Sequence, residues 1–239
     1  MVDDGSGDAT RELVSRYSQV RYLALEDNHG VSFARNAGIR HASAEWIALL
    51  DSDDAWADDK LEKQAAAFAS CPDIRIFHTD EIWIRNGRRV NPMQKHAKPD
   101  GWVYLESLAL CCVSPSSVLL HQSVFGECGD FDENLPACED YDLWLRVFNR
   151  FPVKLVAEPL VIKYGGHEDQ LSRKYWGMDR FRVMALQKML DSDALQEGYR
   201  AQTRDMLQNK CAVLIKGAEK RGRSDRAAHY REIARRYSR

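Results

Sequence analysis

The sequence of 239 residues predicts an α/β fold, a doubly wound mixed sheet followed by a helical C-terminal extension. Three observations support this prediction. Helical and strand-like patterns alternate over the first hundred residues, as in chains that fold into a sheet covered by helices. A hairpin signal and further short strands follow this region. From Arg173 onward the pattern is almost continuously helical.

The composition and charge of the chain limit the classes of protein to which it can belong. Hydrophobic residues make up 44% of the chain and charged residues 29%, which excludes a disordered protein. The 34 basic and 36 acidic residues give a net charge of -2, so no nucleic-acid partner is expected. Six cysteines without a CxxC pair indicate reduced thiols. With no visible signal peptide or membrane-spanning run, we expect a cytoplasmic location, or a peripheral one on the cytosolic face of a membrane.

The first half of the chain is predicted to alternate helices with strands. Helices are expected at residues 8–17, 32–41 and 58–69. Strands are expected at residues 20–25, 45–51 and 74–80. Ser32 is a suitable N-cap for the second helix. The second strand, EWIALLD, is an apolar run of the kind that is buried on both faces of a parallel sheet.

The second half adds a hairpin, further strands and the helical extension. Asn86-Gly87 lies between two alternating segments, which is a common short-range signal of a hairpin. The elements expected next are a strand at 116–121, an amphipathic helix at 139–151 and two short strands within 153–164. Pro159 divides those two strands. Breaks near Asp191 and Gly222 divide the C-terminal helices.

The acidic turn DSDD, residues 51–54, directly follows the predicted apolar strand. Ligands of open α/β sheets bind beyond the carboxyl ends of strands. Two carboxylates one residue apart can converge on a hard divalent cation, and that cation can hold diphosphate oxygens. A solvated turn that caps the next helix explains the same residues equally well.

Two further acidic turns and one histidine are candidate site residues. VDDGSGD, residues 2–8, and CEDYD, residues 138–142, each lie at the start of a predicted helix, where acidic residues also serve as caps. Within the second turn, a carboxylate in a cleft could act as a general base. His167 follows a predicted strand and two glycines, and is either a packing residue or a metal ligand.

Four segments considered together resemble the family 2 glycosyltransferases of the GT-A fold. They are VDDGSGDAT, NHGVSFARNAGIRHASAEWIALLDSDDAW, EDYDLWLR and HEDQLS, and their order and spacing match as well as their letters. The resemblance covers residues 1–175 and implies a GT-A domain there. The helical C-terminal extension then comprises residues 176–239.

The resemblance implies a donor site and a metal site. It implies that Asp3 and Asp4 lie at the nucleotide base and that Arg35 lies in the nucleotide pocket. Asp51 and Asp53 match the DxD motif, in which the first carboxylate lies near the ribose and the last binds the metal. The implied cofactor is a divalent metal, Mn²⁺ or Mg²⁺, and the implied donor is a nucleotide-sugar, with a UDP-sugar as the first choice.

The resemblance also implies the reaction and the acceptor. Asp140, with Glu139 before it, matches the catalytic acidic pair, in which the aspartate is the general base. His167 matches a histidine that can complete the metal coordination. The implied reaction is a single displacement with inversion, which transfers a sugar to a saccharide or lipid-linked acceptor in cell-surface glycan synthesis. The basic C-terminal helices could contact an acidic membrane surface, although a solvated helix pair is the favoured interpretation.

One departure from the family pattern concerns the start of the chain. Family members place a strand, a helix and another strand before the VDDGS segment, whereas here Met1 directly precedes Val2. The expected result is a GT-A sheet that lacks its first strand, an exposed strand edge that favours a homodimer, and a poorly ordered or displaced turn at Asp3 and Asp4. The alternative function is a catalytically impaired remnant that binds nucleotide, metal or a partner. A magnesium phosphohydrolase is a weaker rival, because DSDDAW lacks the hydroxyl residue that such enzymes place after the second aspartate.

Overall fold

The structure, a computed structural model, describes residues 1–90, 97–166 and 174–238. Within these ranges the strands are β1 (Val2–Asp3), β2 (Leu23–Ala24), β3 (Trp46–Ala48), β4 (Asp54–Trp56), β5 (Ile76–Arg85), β6 (Arg88–Val90), β7 (Leu119–His121) and β8 (Lys154–Gly165). The helices are α1 (Thr10–Val14), α2 (Val31–His41), α3 (Lys60–Ser70), α4 (Tyr104–Ser107), α5 (Ser123–Cys128), α6 (Glu139–Phe148), α7 (Asp179–Asp191), α8 (Glu197–Glu219) and α9 (Ser224–Arg236), with a 3-10 turn at Pro115–Ser117. The predicted α/β class with a helical C-terminal part is confirmed.

The main sheet is mixed. Strands β3, β7, β5, β8 and β4 lie side by side in that order, and β6 extends β5 as a hairpin. Among the described pairs of this sheet, β5 and β8 run parallel, while the other neighbours run antiparallel. Strands β1 and β2 form a separate parallel pair. The sheet therefore depends mainly on pairings between residues that are far apart in the sequence.

Strand β3, which leads into the DSDD turn, is not buried on both faces as predicted. It lies at one end of the strand order and pairs antiparallel with β7, with Trp46 opposite His121. Ile47 and Leu49 are buried, whereas Leu50 is 49% exposed. On the opposite face Trp46 is half-buried and its ring stacks on an aromatic ring of α3. The run is therefore fully buried on one face and partly covered on the other, at an antiparallel edge, so the prediction of burial on both faces of a parallel sheet is wrong.

The hairpin and the last strand show how turn residues shape the sheet. Asn86 and Gly87 both have positive φ, 50° and 72°, as a type I′ turn requires, so the predicted hairpin is confirmed. The two strands predicted on either side of Pro159 are instead one strand, β8. Its register against β5 shifts where Pro159 lies opposite Asp80. Because proline has no N–H to donate, an irregularity at this point keeps the strand continuous.

Helix α2 begins differently from its prediction. Helix α2 starts at Val31 after Gly30, whose φ of 92° favours glycine. Ser32 is therefore inside the helix, and its predicted N-cap role is wrong. Its hydroxyl is buried without a hydrogen-bond partner among the residues that the structure describes.

An apolar core connects the sheet with the C-terminal helices. Its buried side chains extend from Ile47 in β3 to Tyr237 just beyond α9. Helix α6 crosses this core and packs against α4, α5 and α7, and its Leu143, Leu145 and Val147 are fully buried. The helix breaks predicted near Asp191 and Gly222 are confirmed, while a domain boundary after residue 175 stays a prediction. In the described part of the chain, the helices do not combine the length and apolarity needed to cross a bilayer.

Candidate active site

The DSDD turn brings three carboxylates together. Asp51, Asp53 and Asp54 each offer an oxygen, and these oxygens lie within 4.8 Å of one another. The Asp54 N–H donates to the Asp51 carbonyl over 3.1 Å, which closes the turn between β3 and β4. Asp53 is exposed at its tip. A cluster of carboxylate oxygens of this kind suits a hard divalent cation.

Asp54 is the buried member of this cluster, with a side chain that is 1% exposed. Its Oδ2 accepts hydrogen bonds from Ser116 Oγ at 2.6 Å and from Lys163 Nζ at 2.5 Å. Burial raises the pKa of Asp54, and the hydrogen bond and charge of Lys163 oppose that shift. Its Oδ1 is buried and has no hydrogen-bond partner among the described residues.

The 3-10 turn at Pro115–Ser117 holds the acidic turn in place. The Asp51 N–H donates to Ser116 Oγ at 3.0 Å, and the Trp56 indole N–H donates to the Ser116 carbonyl at 2.7 Å. Ser116 thus fixes both ends of the turn in addition to its bond with Asp54. No motif indicated Ser116 or Lys163 as site residues, because their partners are distant in the sequence.

Arg35 connects the DSDD turn to the start of helix α6. Its two terminal nitrogens lie 2.6 Å from Asp51 Oδ1 and 2.6 Å from Glu139 Oε1. Its guanidinium also lies over the Phe131 ring, 5.1 Å from the ring centre. Burial alone would lower the pKa of Arg35, but the carboxylates of Asp51 and Glu139 outweigh burial and raise it. Both ends of the Arg35 guanidinium are thus engaged with carboxylates. A role for Arg35 in the nucleotide pocket stays a prediction.

The two acidic residues of α6 have different surroundings. Glu139 is buried, and burial together with the Asp140 charge raises its pKa while Arg35 opposes the shift. Asp140 is half-buried and accepts a hydrogen bond from the Tyr141 N–H at 2.7 Å. Its other oxygen lies 3.1 Å from Cys111 Sγ. Of the pair, Asp140 is therefore the carboxylate that a substrate hydroxyl could reach.

Cys111 contacts the Asp140 carboxylate, although no sequence motif indicated it as part of the candidate site. Burial, and then the neighbouring Asp140 charge, raise the pKa of its thiol well above the usual value. The thiol is therefore protonated at neutral pH and can donate to the carboxylate. Cys138, directly before the helix, has φ of 60°, an uncommon conformation for a residue with a side chain.

Asp3 and Asp4 form hydrogen bonds within the N-terminal turn and with the loop before α2. Asp3 accepts from the Ser6 N–H at 2.8 Å and from the Tyr22 hydroxyl, and these bonds lower its pKa. Asp4 accepts from the backbone N–H groups of His29 and Gly30 at 2.8 and 2.7 Å. The turn therefore has specific hydrogen bonds, and the expectation that it is poorly ordered or displaced from the DSDD turn stays a prediction. Its role at the nucleotide base stays a prediction.

The fit of a divalent metal can be judged from the described residues. Asp51 and Asp53 supply hard oxygen ligands within one turn, and the partnerless Oδ1 of the buried Asp54 lies in the same cluster. These features fit Mn²⁺ or Mg²⁺. His167, the third predicted ligand, lies outside the described residues.

Comparisons with known proteins agree with these observations. The family model described as Glycosyl transferase family 2 matches residues 1–124. The putative teichuronic acid biosynthesis glycosyltransferase TuaG of Bacillus subtilis is 28% identical over 63% of this chain and 60% of its own length. The UDP-Glc:alpha-D-GlcNAc-diphosphoundecaprenol beta-1,3-glucosyltransferase WfgD of Escherichia coli is 32% identical over 61% of this chain and 55% of its own length.

A solved structure shares the fold. The crystal structure of S. aureus TarS 1-349 in complex with UDP-GlcNAc matches with a TM-score of 0.67 at 16% identity, over 99% of this chain and 81% of that one. This match shows the GT-A fold. The chain spans between 30% and 60% of the length of several curated relatives. Since the family model covers more than half of the sequence, the chain belongs to glycosyltransferase family 2.

Proposed function

We propose that the chain is an inverting glycosyltransferase, which transfers a sugar from a nucleotide-diphosphate donor to a saccharide or lipid-linked acceptor in cell-surface glycan synthesis. The observation that carries this proposal is the link through Arg35. This side chain joins a carboxylate cluster suited to a cation with the helix start that presents Asp140. An enzyme of this class needs the cation on one side of the reacting carbon and the proton-accepting carboxylate on the other.

The donor side of the site is the DSDD turn. Asp51 and Asp53, with His167 as a further ligand, would hold Mn²⁺ or Mg²⁺. When bound, the metal neutralises charge on the diphosphate that leaves the sugar. Asp3 and Asp4 are proposed to contact the nucleotide base, and Arg35 to border the nucleotide. A UDP-sugar is the first choice of donor, since the E. coli relative is named for UDP-Glc and the TarS structure contains UDP-GlcNAc.

The acceptor side of the site is the start of α6. Asp140 is proposed to accept the proton of the acceptor hydroxyl as that oxygen attacks the anomeric carbon. The bond from this carbon to the diphosphate breaks on the opposite face, so the configuration inverts and the nucleoside diphosphate departs with the bonding electrons. Glu139 keeps Arg35 in place and takes no proton from the substrate. Asp140 is half-buried whereas Glu139 is buried, and this difference supports the division of roles.

Location and further partners belong to the same proposal. We place the protein in the cytoplasm, where nucleotide-sugars are used, with peripheral membrane contact wherever the acceptor is lipid-linked. The homodimer through a strand edge stays a prediction.

The decisive experiment measures turnover of the nucleotide-sugar with and without an acceptor. Purified chain is incubated with UDP-GlcNAc or UDP-glucose, Mn²⁺ and a panel of saccharide and lipid-linked acceptors, and release of UDP is measured. The proposal predicts metal-dependent release that Asp140→Asn abolishes while calorimetry shows retained donor binding. Asp58→Asn, an exposed carboxylate beyond the turn, is the matched control. Donor binding without hydrolysis or transfer would instead identify a non-catalytic binding module.

A further inference from the structure

A small cavity lies in the C-terminal helical part, away from the DSDD turn. It has a volume of about 120 Å³ and lies between Gly177, just before α7, and helices α8 and α9. Its apolar base comprises the buried side chains of Leu214, Ala218 and Tyr230. None of the residues that line it belongs to the candidate active site.

The opening of this cavity is basic. Arg221, Arg223 and Arg226 line it and are exposed, and no acidic residue is among the lining side chains of the described chain. Arg223 and Arg226 have no ion pair with any described residue. Their neighbours on α9 differ, since Arg231 pairs with Glu219 and Arg235 pairs with Glu232. Positive charge is therefore concentrated at the cavity rather than neutralised within the helix pair.

Trp176 brings a fourth guanidinium to the same place. The Arg226 guanidinium lies 4.3 Å from the centre of the Trp176 ring, and that of Arg180 lies 4.8 Å from it. Arg180 Nε is buried and has no hydrogen-bond partner in the described ranges. Stacking on an aromatic ring holds a guanidinium in a fixed orientation while leaving its N–H groups available.

This arrangement indicates the chemistry of a ligand. Guanidinium forks match phosphate oxygens in pairs, and such charge-assisted bonds are among the stronger ones in proteins. The volume is below the roughly 300 Å³ of typical small-molecule sites, so a compact anion fits better than a whole nucleotide. We propose that the cavity bordered by Trp176, Arg223 and Arg226 binds a phosphate or diphosphate group, either free or in a lipid headgroup.

The proposal of an anion site does not depend on the proposed transfer reaction. The cavity nevertheless lies near the start of α6. Met178, which follows the cavity residue Gly177, accepts a weak hydrogen bond from Cys138 Sγ at 3.8 Å. Cys138 directly precedes the helix that carries Asp140. An anion in the cavity would thus be held next to a segment that contacts the start of α6.

The first test measures binding of a free anion. Inorganic diphosphate is titrated into the full chain by calorimetry in the presence of EDTA, so that no divalent cation supports binding at the DSDD turn. Arg223→Gln and Arg226→Gln should each weaken binding roughly tenfold, as expected for the loss of a charge-assisted bond. The variant Arg231→Gln, at a residue on the same helix as Arg226 that is paired with Glu219, should bind as the unmodified chain does. Asp53→Ala should also leave this binding unchanged.

The second test separates the two sources of phosphate. Co-sedimentation is measured with vesicles of phosphatidylglycerol in phosphatidylcholine and with vesicles of phosphatidylcholine alone. For a lipid headgroup, the anionic vesicles should bind the chain, Arg226→Gln should abolish this, and free diphosphate should compete. For a free anion, vesicle binding should be absent while calorimetry still depends on Arg226. Circular dichroism melts establish that each variant is folded. The proposal is overturned if the folded double variant Arg223→Gln/Arg226→Gln retains full binding in both tests, or if the unmodified chain binds in neither.

Discussion

Arg35 and Glu139 form an ion pair with a nitrogen–oxygen distance of 2.6 Å between helix α2 and the first residue of α6. The same guanidinium reaches Asp51, so one side chain connects the two acidic segments of the site. Both partners are largely buried, with side chains 12% and 7% exposed. A buried charge of this kind is tolerated only because it is paired. The geometry of the site therefore depends on Arg35 irrespective of any contact it makes with a nucleotide.

Loss of Arg35 should destabilise the fold. Arg35→Met removes the positive charge and leaves two carboxylates facing each other, so the free energy of unfolding should fall by about 3 kcal/mol. Chemical denaturation followed by fluorescence measures this change. Arg40→Met is the control. The ion-pair partners of Arg40, on the same helix, are exposed carboxylates 3.9 Å away, so this substitution should cost less than about 0.5 kcal/mol. If Arg35→Met/Glu139→Gln recovers none of the lost stability, the pair is not the cause.

Local chemistry explains which parts of the fold the sequence could predict. The Asn86-Gly87 turn and the helix breaks near Asp191 and Gly222 depend on residues next to one another, and they were predicted correctly. Strand pairing does not depend on neighbours. The continuity of β8 past Pro159 is decided by β5, about eighty residues earlier, and so the two-strand prediction failed.

The same distinction between local signals and distant contacts applies to the candidate site. The acidic motifs can be recognised in the sequence itself. The structure shows that Asp51 and Glu139 pair with the same arginine, which their spacing in the sequence could not predict. Ser116 and Lys163 were missed because they contact Asp54 from 62 and 109 residues away. A serine or lysine without a local motif carries no signal of such a partner.

The metal dependence of donor binding should reside in Asp53. Asp53→Ala should remove the increase in UDP affinity that Mn²⁺ produces, because the metal loses a carboxylate ligand at the exposed tip of the turn. Calorimetry with Mn²⁺ and with EDTA measures both affinities. Asp58→Ala, another exposed aspartate beyond β4, should keep the full metal effect. Equal UDP binding with and without Mn²⁺ in the unmodified chain would contradict a metal site here.

Acid should destabilise the fold through His78. This buried side chain lies 2.8 Å from the Pro99 carbonyl through Nε2, and burial lowers its pKa from 6.5 to about 4. As the pH falls below 6.5 the unfolded chain takes up the proton before the folded chain does, so stability is present above that value and is lost towards pH 4. The loss attributable to His78 should reach about 2 to 3 kcal/mol.

His78→Gln tests this assignment, because an amide can still donate to the Pro99 carbonyl and does not titrate. Unfolding free energies measured at steps from pH 7 to pH 4 should fall less steeply in this variant. His41→Gln, which removes an exposed histidine at the end of α2, is the matched control. Identical pH dependence in His78→Gln and the unmodified chain would exclude His78 as the source.

The thiol of Cys111 should hold the proposed general base in position. Its Sγ lies 3.1 Å from both Asp140 Oδ2 and the Val113 carbonyl oxygen, and of these two the charged carboxylate is the stronger acceptor for the single thiol proton. Cys111→Val keeps most of the side-chain volume but removes the S–H group that donates to Asp140. The transfer rate should therefore fall roughly fivefold, with the affinity for the nucleotide-sugar unchanged. Cys111→Ser keeps a hydroxyl that can donate a hydrogen bond and should retain most of the transfer rate.

Cys112→Val is the matched control, because the Cys112 thiol contacts Ser107 Oγ at 3.0 Å and not Asp140. Steady-state transfer assays would reject the positioning role if Cys111→Ser and Cys111→Val lost equal activity, or if Cys112→Val lost as much as Cys111→Val. Asp140→Asn should exceed all of these losses, at roughly a hundredfold or more, since it removes the proton acceptor itself rather than a group that orients it.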